Sequence, residues 1–152
     1  MRRVTAPPKT AVAARVLGAA CAALAGVTFG ACGAKTVSTG AFQGEQREVA
    51  KAISNLQSDV TSGEEQKICN NDLASEVVAR LDAAPGGCKA AIKEQLAEID
   101  SSDLSVDSIQ LSGAGAQRAA SASVRSVYGG KTRRSTVSLL KQGGKWKISA
   151  VS

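Results

Sequence analysis

The four cysteines, Cys21, Cys32, Cys69 and Cys88, are the side chains of this 152-residue sequence whose chemistry their placement suggests. A thiol can be acylated, oxidised to a disulfide or bound to a metal. The chain contains no histidine, which removes Ser-His-Asp and Cys-His activation of a nucleophile and leaves zinc short of ligands. No glycine-rich loop leads from a strand into a helix as a phosphate cradle requires, and Gly129-Gly130 and Gly143-Gly144 read as turns. Acid–base chemistry would need a carboxyl group held in a site that tunes it. All 13 acidic residues precede Leu111, and Asp59 and Asp107 read as surface positions. The sequence therefore points away from catalysis, and neither a metal nor a cofactor is expected.

Cys32 closes the apolar run Val16–Ala31, which follows a stretch carrying Arg2, Arg3, Lys9 and Arg15 and no acid. A positive n-region ahead of a short apolar segment is the layout of a secretory signal. The run is Gly- and Ala-rich and shorter than the roughly 20 strongly apolar residues of a stable span. An uncleaved anchor and plain secretion, with Cys32 incidental, are the alternatives. Gly30-Ala31-Cys32 resembles the lipobox of bacterial lipoproteins, with Phe29 where leucine is usual. The resemblance implies cleavage before Cys32, diacylation of its thiol, and attachment to the extracytoplasmic face of the cell membrane. Residues 1–31 would then be the signal, 32–44 a flexible tether of small polar residues, and 45–152 a single domain.

On that division Cys21 leaves with the signal and Cys32 is lipidated. Two cysteines remain in an exported chain, which implies one disulfide between Cys69 and Cys88. The charge changes as well. Four of the 19 basic residues precede Cys32, so the formal +6 becomes +2 for the remainder. Cys32–Gln110 carries a net −6 and Leu111–Ser152 a net +8. So polarised a domain is not what nucleic-acid binding alone would produce, and no nucleic-acid partner is expected.

The elements that position these groups follow from periodicity. Val49, Ala52, Ile53, Leu56 and Val60 lie on one helical face, predicting a helix over 45–61. A short helical turn over 64–70 carries Cys69. Ser75 reads as the N-cap of a helix through Val77, Val78 and Leu81. Ala84-Pro85-Gly86-Gly87 breaks the chain, and Cys88 opens a last helix with Ile92, Leu96 and Ile99 on one face. The period then changes to two. Strands are predicted over 104–111, 117–128, 131–141 and 145–151, the last three joined by two-residue hairpin turns.

Both turns set one register. The first puts Val124, Ala122 and Ala120 opposite Ser135, Val137 and Leu139; the second puts Leu139 and Val137 opposite Ile148 and Ala150. Together they place these apolar residues and Trp146 on a single face, which the helices should cover. The other face carries Arg125, Arg134 and Lys147 and reads as a basic surface, solvated or resting on anionic lipid or an acidic partner. Arg125 falls across from Arg134, a like-charge pair that costs stability unless screened. Arg118, Lys141 and Trp146 come to one end of the inner face and would form the mouth of any pocket.

An amphipathic helix, short helices and a sheet ending in Gly144-Lys145-Trp146-Lys147-Ile148, together with Ile68-Cys69 and Cys88, resemble the small NTF2-like (cystatin-like) lipoproteins of actinobacteria over about Gln46–Ser152. The resemblance implies an α+β fold with N-terminal helices packed on a curved antiparallel four-stranded meander. The expected role is a lipid-anchored, non-catalytic domain that binds a protein partner or a small apolar ligand at the cell envelope. The alternatives are a structural envelope protein whose basic sheet face contacts anionic lipid, and an isomerase- or cyclase-like enzyme. Nothing in the sequence indicates an oligomeric state.

Overall fold

The computed structural model describes residues 37–97, 103–128 and 131–152. The leader, Cys32, Ile99 and the Gly129-Gly130 turn lie outside them. Helix α1 spans Gly44–Thr61 and buries Val49 and Ile53 of the expected stripe together with Ala50 and Gln57, while Ala52, Leu56 and Val60 are half-buried. Glu45 in its first turn complements the helix dipole, and Gly63 just past its end takes a φ of 65°, the left-handed conformation that stops a helix. The short helix α2, Glu65–Lys67, runs into a π turn over Ile68–Asp72. Helices α3, Ser75–Asp82, and α4, Gly87–Leu96, complete the helical half.

The N-terminus of α3 departs from expectation. Ala74, not Ser75, occupies the cap position. The Ser75 N–H donates to Gln142 Oε1 at 3.0 Å, and the Ala74 N–H donates to the Ile148 carbonyl at 2.8 Å. The donors left free at a helix start are thus met by the sheet rather than by a local hydroxyl. Likewise the Cys88 N–H, at the start of α4, donates to Asp82 Oδ1 at the end of α3.

Strands β1 (Asp103–Ser112), β2 (Ala119–Tyr128), β3 (Lys131–Gln142) and β4 (Lys145–Val151) form one antiparallel sheet in the order β1-β2-β3-β4. The chain is therefore an α+β fold, with helices on one face of a four-stranded meander. The β2–β3 register is the one read from the sequence: Val124 faces Ser135, Ala122 faces Val137 and Ala120 faces Leu139. Gly143 and Gly144 both adopt positive φ, as the β3–β4 turn requires. Between β1 and β2, a Cβ on Gly113 would come within 2.1 Å of the Gln117 carbonyl oxygen, so only glycine fits that corner.

Two bulges modify the expected ladder. Leu139 faces Ile148 as predicted, but Ser149 is an extra residue on β4, and Val137 then faces Val151 while Ala150 faces Ser138. The second bulge is at Asp107 on β1. A bulge shifts every later side chain by one position, which is why Ala150 leaves the inner face and is exposed.

Ala120, Ala122, Val124, Val137, Leu139, Trp146 and Ile148 pack with Val49, Ala50, Ile53 and Ile109 in one core. Val37 belongs to that core at 4% exposure, and Phe42 packs against it. Residues 37–44, expected to be tether, are instead folded onto the domain, with a 3₁₀ turn over Thr39–Ala41. Their apolar side chains find a place between α1 and the sheet that composition alone does not reveal. A second cluster joins Ile68, Cys69, Cys88 and Ile92. Within it Cys69 and Cys88 form the expected disulfide, with an S–S distance of 2.02 Å.

Candidate functional site

Two clefts flank α1, one at its start and one along Glu48–Asp59. The larger, about 1010 Å³, lies between the start of α1, the 113–118 corner and the β3–β4 turn. Its floor is Ala114, Gly115, Ala116, Gly143 and Gly144, and its wall carries Glu45, Arg118 and Lys141. Arg118 grips Glu45 Oε2 through Nε at 2.9 Å and Nη2 at 2.7 Å, and Lys141 Nζ donates to Oε1 of the same carboxylate at 2.8 Å. The Lys141 ammonium and then the Arg118 guanidinium hold the Glu45 carboxyl below the usual range. Two cations converging on one acid make an anion-binding geometry in which Glu45 supplies the anion.

The sequence reading placed Arg118, Lys141 and Trp146 together, and Lys141 Nζ does sit 5.6 Å from the Trp146 ring centroid. Trp146 is only 5% exposed, however, and lines the second cleft rather than the first. That cleft, about 530 Å³, runs between the outer side of α1, the π turn and β4. It is lined among others by Glu48, Lys51, Asp59, Asp72, Lys145 and Trp146.

Asp72 is the feature sequence reasoning missed. It is 7% exposed, and its carboxyl is pushed up from 3.8 to about 7, first by burial and then by the facing charge and hydrogen bond of Asp59. Lys147 opposes the shift. Asp59, read as a surface position, thus stands against a buried acid. No pattern marks Asp72 in the polar stretch Asn70-Asn71-Asp72. It is buried because Leu73 bridges in parallel to Ile148 and draws the π turn under the edge of β4.

The basic outer face is also less open than its sequence implied. Arg125 does face Arg134, but Asp107, exposed on its bulge, reaches Arg125 Nη2 at 2.7 Å and screens the pair. Lys147 does not belong to that surface. Its ammonium donates to the carbonyls of Asn70, at 3.0 Å, and Asn71, and burial lowers its pKa. Arg134 remains exposed on β3. Among the described residues no group of three or more His, Cys, Asp or Glu is placed to hold a metal, and no helix is long and apolar enough to cross a membrane.

No protein-family model matches the sequence, and no curated protein does. Among solved structures, the chain is similar to a designed NTF2 protein, with 21% identity over 72% of this chain and 98% of that one and a TM-score of 0.46. It is similar to the same degree to a Xanthomonas campestris protein described as a calcium/calmodulin-dependent protein kinase II association domain, with 18% identity over 72% of this chain and 86% of that one.

Proposed function

We propose that this chain is a lipid-anchored, extracytoplasmic binding domain whose larger cleft takes a small ligand with a carboxylate or phosphate head. The convergence of Arg118 and Lys141 on one carboxylate carries the reading. A ligand anion that displaced Glu45 would inherit both cations, and its body would lie on the Ala and Gly floor. The domain acts by binding rather than catalysis, because among the described residues Glu45 is the sole acid lining this cleft and its ion pairs favour its ionised form. Replacing Glu45 with Gln removes the charge that both cations grip and leaves Lys141 only the longer, 3.9 Å contact with Glu48, so inorganic phosphate should bind at least several-fold more tightly in calorimetric titration, whereas Arg118→Ala should abolish that gain. Equal affinity in Glu45→Gln and the parent would sink the proposal.

The anchor rests on the positive n-region, the apolar run and Gly30-Ala31-Cys32. In the expressing bacterium, Cys32→Ser should move the protein from the membrane pellet to the soluble exported fraction and abolish incorporation of labelled fatty acid. Unchanged partitioning and label would rule the anchor out.

A further inference from the structure

We propose that the second cleft, between α1, the π turn and β4, is a separate binding site for a small organic ammonium compound that carries a hydrogen-bond acceptor close to its nitrogen, held by the Asp59–Asp72 pair beside Trp146. Two independent observations point there. Asp72 Oδ2 is buried without a hydrogen-bond partner, and so is Trp146 Nε1. Their residues, 7% and 5% exposed, both line the cleft. An unmet acceptor and an unmet donor in one cleft ask for a ligand that offers one group of each kind, since burial without a partner costs each of them free energy.

The carboxyl pair fixes the sign of the donor. Two facing carboxyl groups retain a proton between them at neutral pH because both cannot ionise side by side. An ammonium group can replace that proton, with three N–H donors to distribute between Asp59 and the open oxygen of Asp72. Lys147 does not meet this oxygen: two of its three N–H donors are engaged by the Asn70 and Asn71 carbonyls, and Asp72 Oδ2 is left without a hydrogen-bond partner. The ligand's acceptor then meets the Trp146 N–H. The charged groups around the pair are Glu48 and Lys51 from α1, Lys67 of α2, which acts on Asp59, and Lys145 and Lys147 from β4. The two orphan atoms each expose under 1 Å², so ligand entry requires side chains lining the cleft to move.

Replacement of a proton makes binding pH-dependent with a defined sign. Below the folded pKa of Asp72, about 7, the proton competes with the ligand; above it there is none to displace. Ethanolammonium added to the exported domain should therefore bind about tenfold more weakly at pH 6 than at pH 8, with release of about one proton per ligand at pH 6. Calorimetry in two buffers of different ionisation heat reads that proton count. Trp146 is the single tryptophan, so its fluorescence reports the same titration. Ethylammonium, which lacks the acceptor, should bind roughly fivefold more weakly than ethanolammonium.

Asp72→Asn should remove the pH dependence and weaken binding at pH 8 at least tenfold. Asp59→Asn, at a less buried position, is the second variant should the first perturb folding. Absence of binding at millimolar ethanolammonium, binding without proton release at pH 6, or parental affinity in both Asp variants would each overturn the proposal.

Discussion

Asp72→Asn is expected to make the domain more stable above neutral pH and to leave it unchanged near pH 4. The folded pKa of Asp72 is raised from 3.8 to about 7 by burial and by Asp59. A raised carboxyl binds its proton more tightly in the folded than in the unfolded state. Its favourable contribution is complete below the unfolded value and is lost as pH rises through the folded one. The window is therefore about pH 4 to 7, and the loss above it is on the order of 4 kcal/mol. Asparagine keeps the shape and the N–H donor toward Asp59 but cannot ionise. In thermal melts the two proteins should coincide at pH 4 and separate by roughly 15 °C at pH 8. Parallel curves across that range would show that Asp72 titrates as an ordinary surface acid.

The second large effect belongs to the disulfide. Cys69 and Cys88 are 19 residues apart, and closing a loop of that length removes about 3 kcal/mol of unfolded-chain freedom. Both cysteines are buried in the smaller cluster with Ile68 and Ile92, against which Leu56, Val60, Leu73, Val78, Leu81 and Leu96 pack, and the staple adds to that packing. The double variant Cys69→Ala, Cys88→Ala should lose about 3 kcal/mol in denaturant titration, and the parent should lose a similar amount when reduced. The main core of α1 and the sheet does not include this cluster, so near-native circular dichroism should persist in the folded baseline. A variant as stable as the oxidised parent would mean that packing of the smaller cluster, the Leu73–Ile148 bridge and the Lys147 contacts hold the π turn without the staple.

These two effects link the helical half to the cleft. The same π turn supplies Cys69 to the staple and Asp72 to the carboxyl pair. Reduction should therefore loosen the position of Asp72 as well as lower global stability, and the pH dependence of the melt should flatten in the reduced protein.

Much of the sheet could be read from residues alone, because period-two patterning and two Gly-Gly turns both place Val137 and Leu139 on the inner face, although the Ser149 bulge pairs Val137 with Val151 rather than Ala150. The buried stripe of α1 was legible for the same reason at period 3.6. The Cys69–Cys88 pair followed from cysteine number once Cys32 was assigned to the anchor. Arg118 and Lys141 could be placed at one end of the inner face, since strand register carries side chains to known positions.

What required the tertiary structure is a set of facts about residues remote in sequence. Val37 and Phe42 look like linker until α1 and the sheet enclose them. Ser149 and Asp107 form bulges that no local composition announces, and Asp107 thereby reaches Arg125. Gln142 caps α3 from 67 residues away. Asp72 and Asp59 stand apart in the chain and amid polar neighbours, so neither carries a periodic signal, and only the path of the π turn beneath β4 brings them together. Local patterning determines which face of an element is apolar, because that depends on near neighbours along the backbone. Which polar groups are stripped of water depends on what another segment covers, and for this protein that decided the position of Glu45 between two cations and of Asp72 beside Asp59.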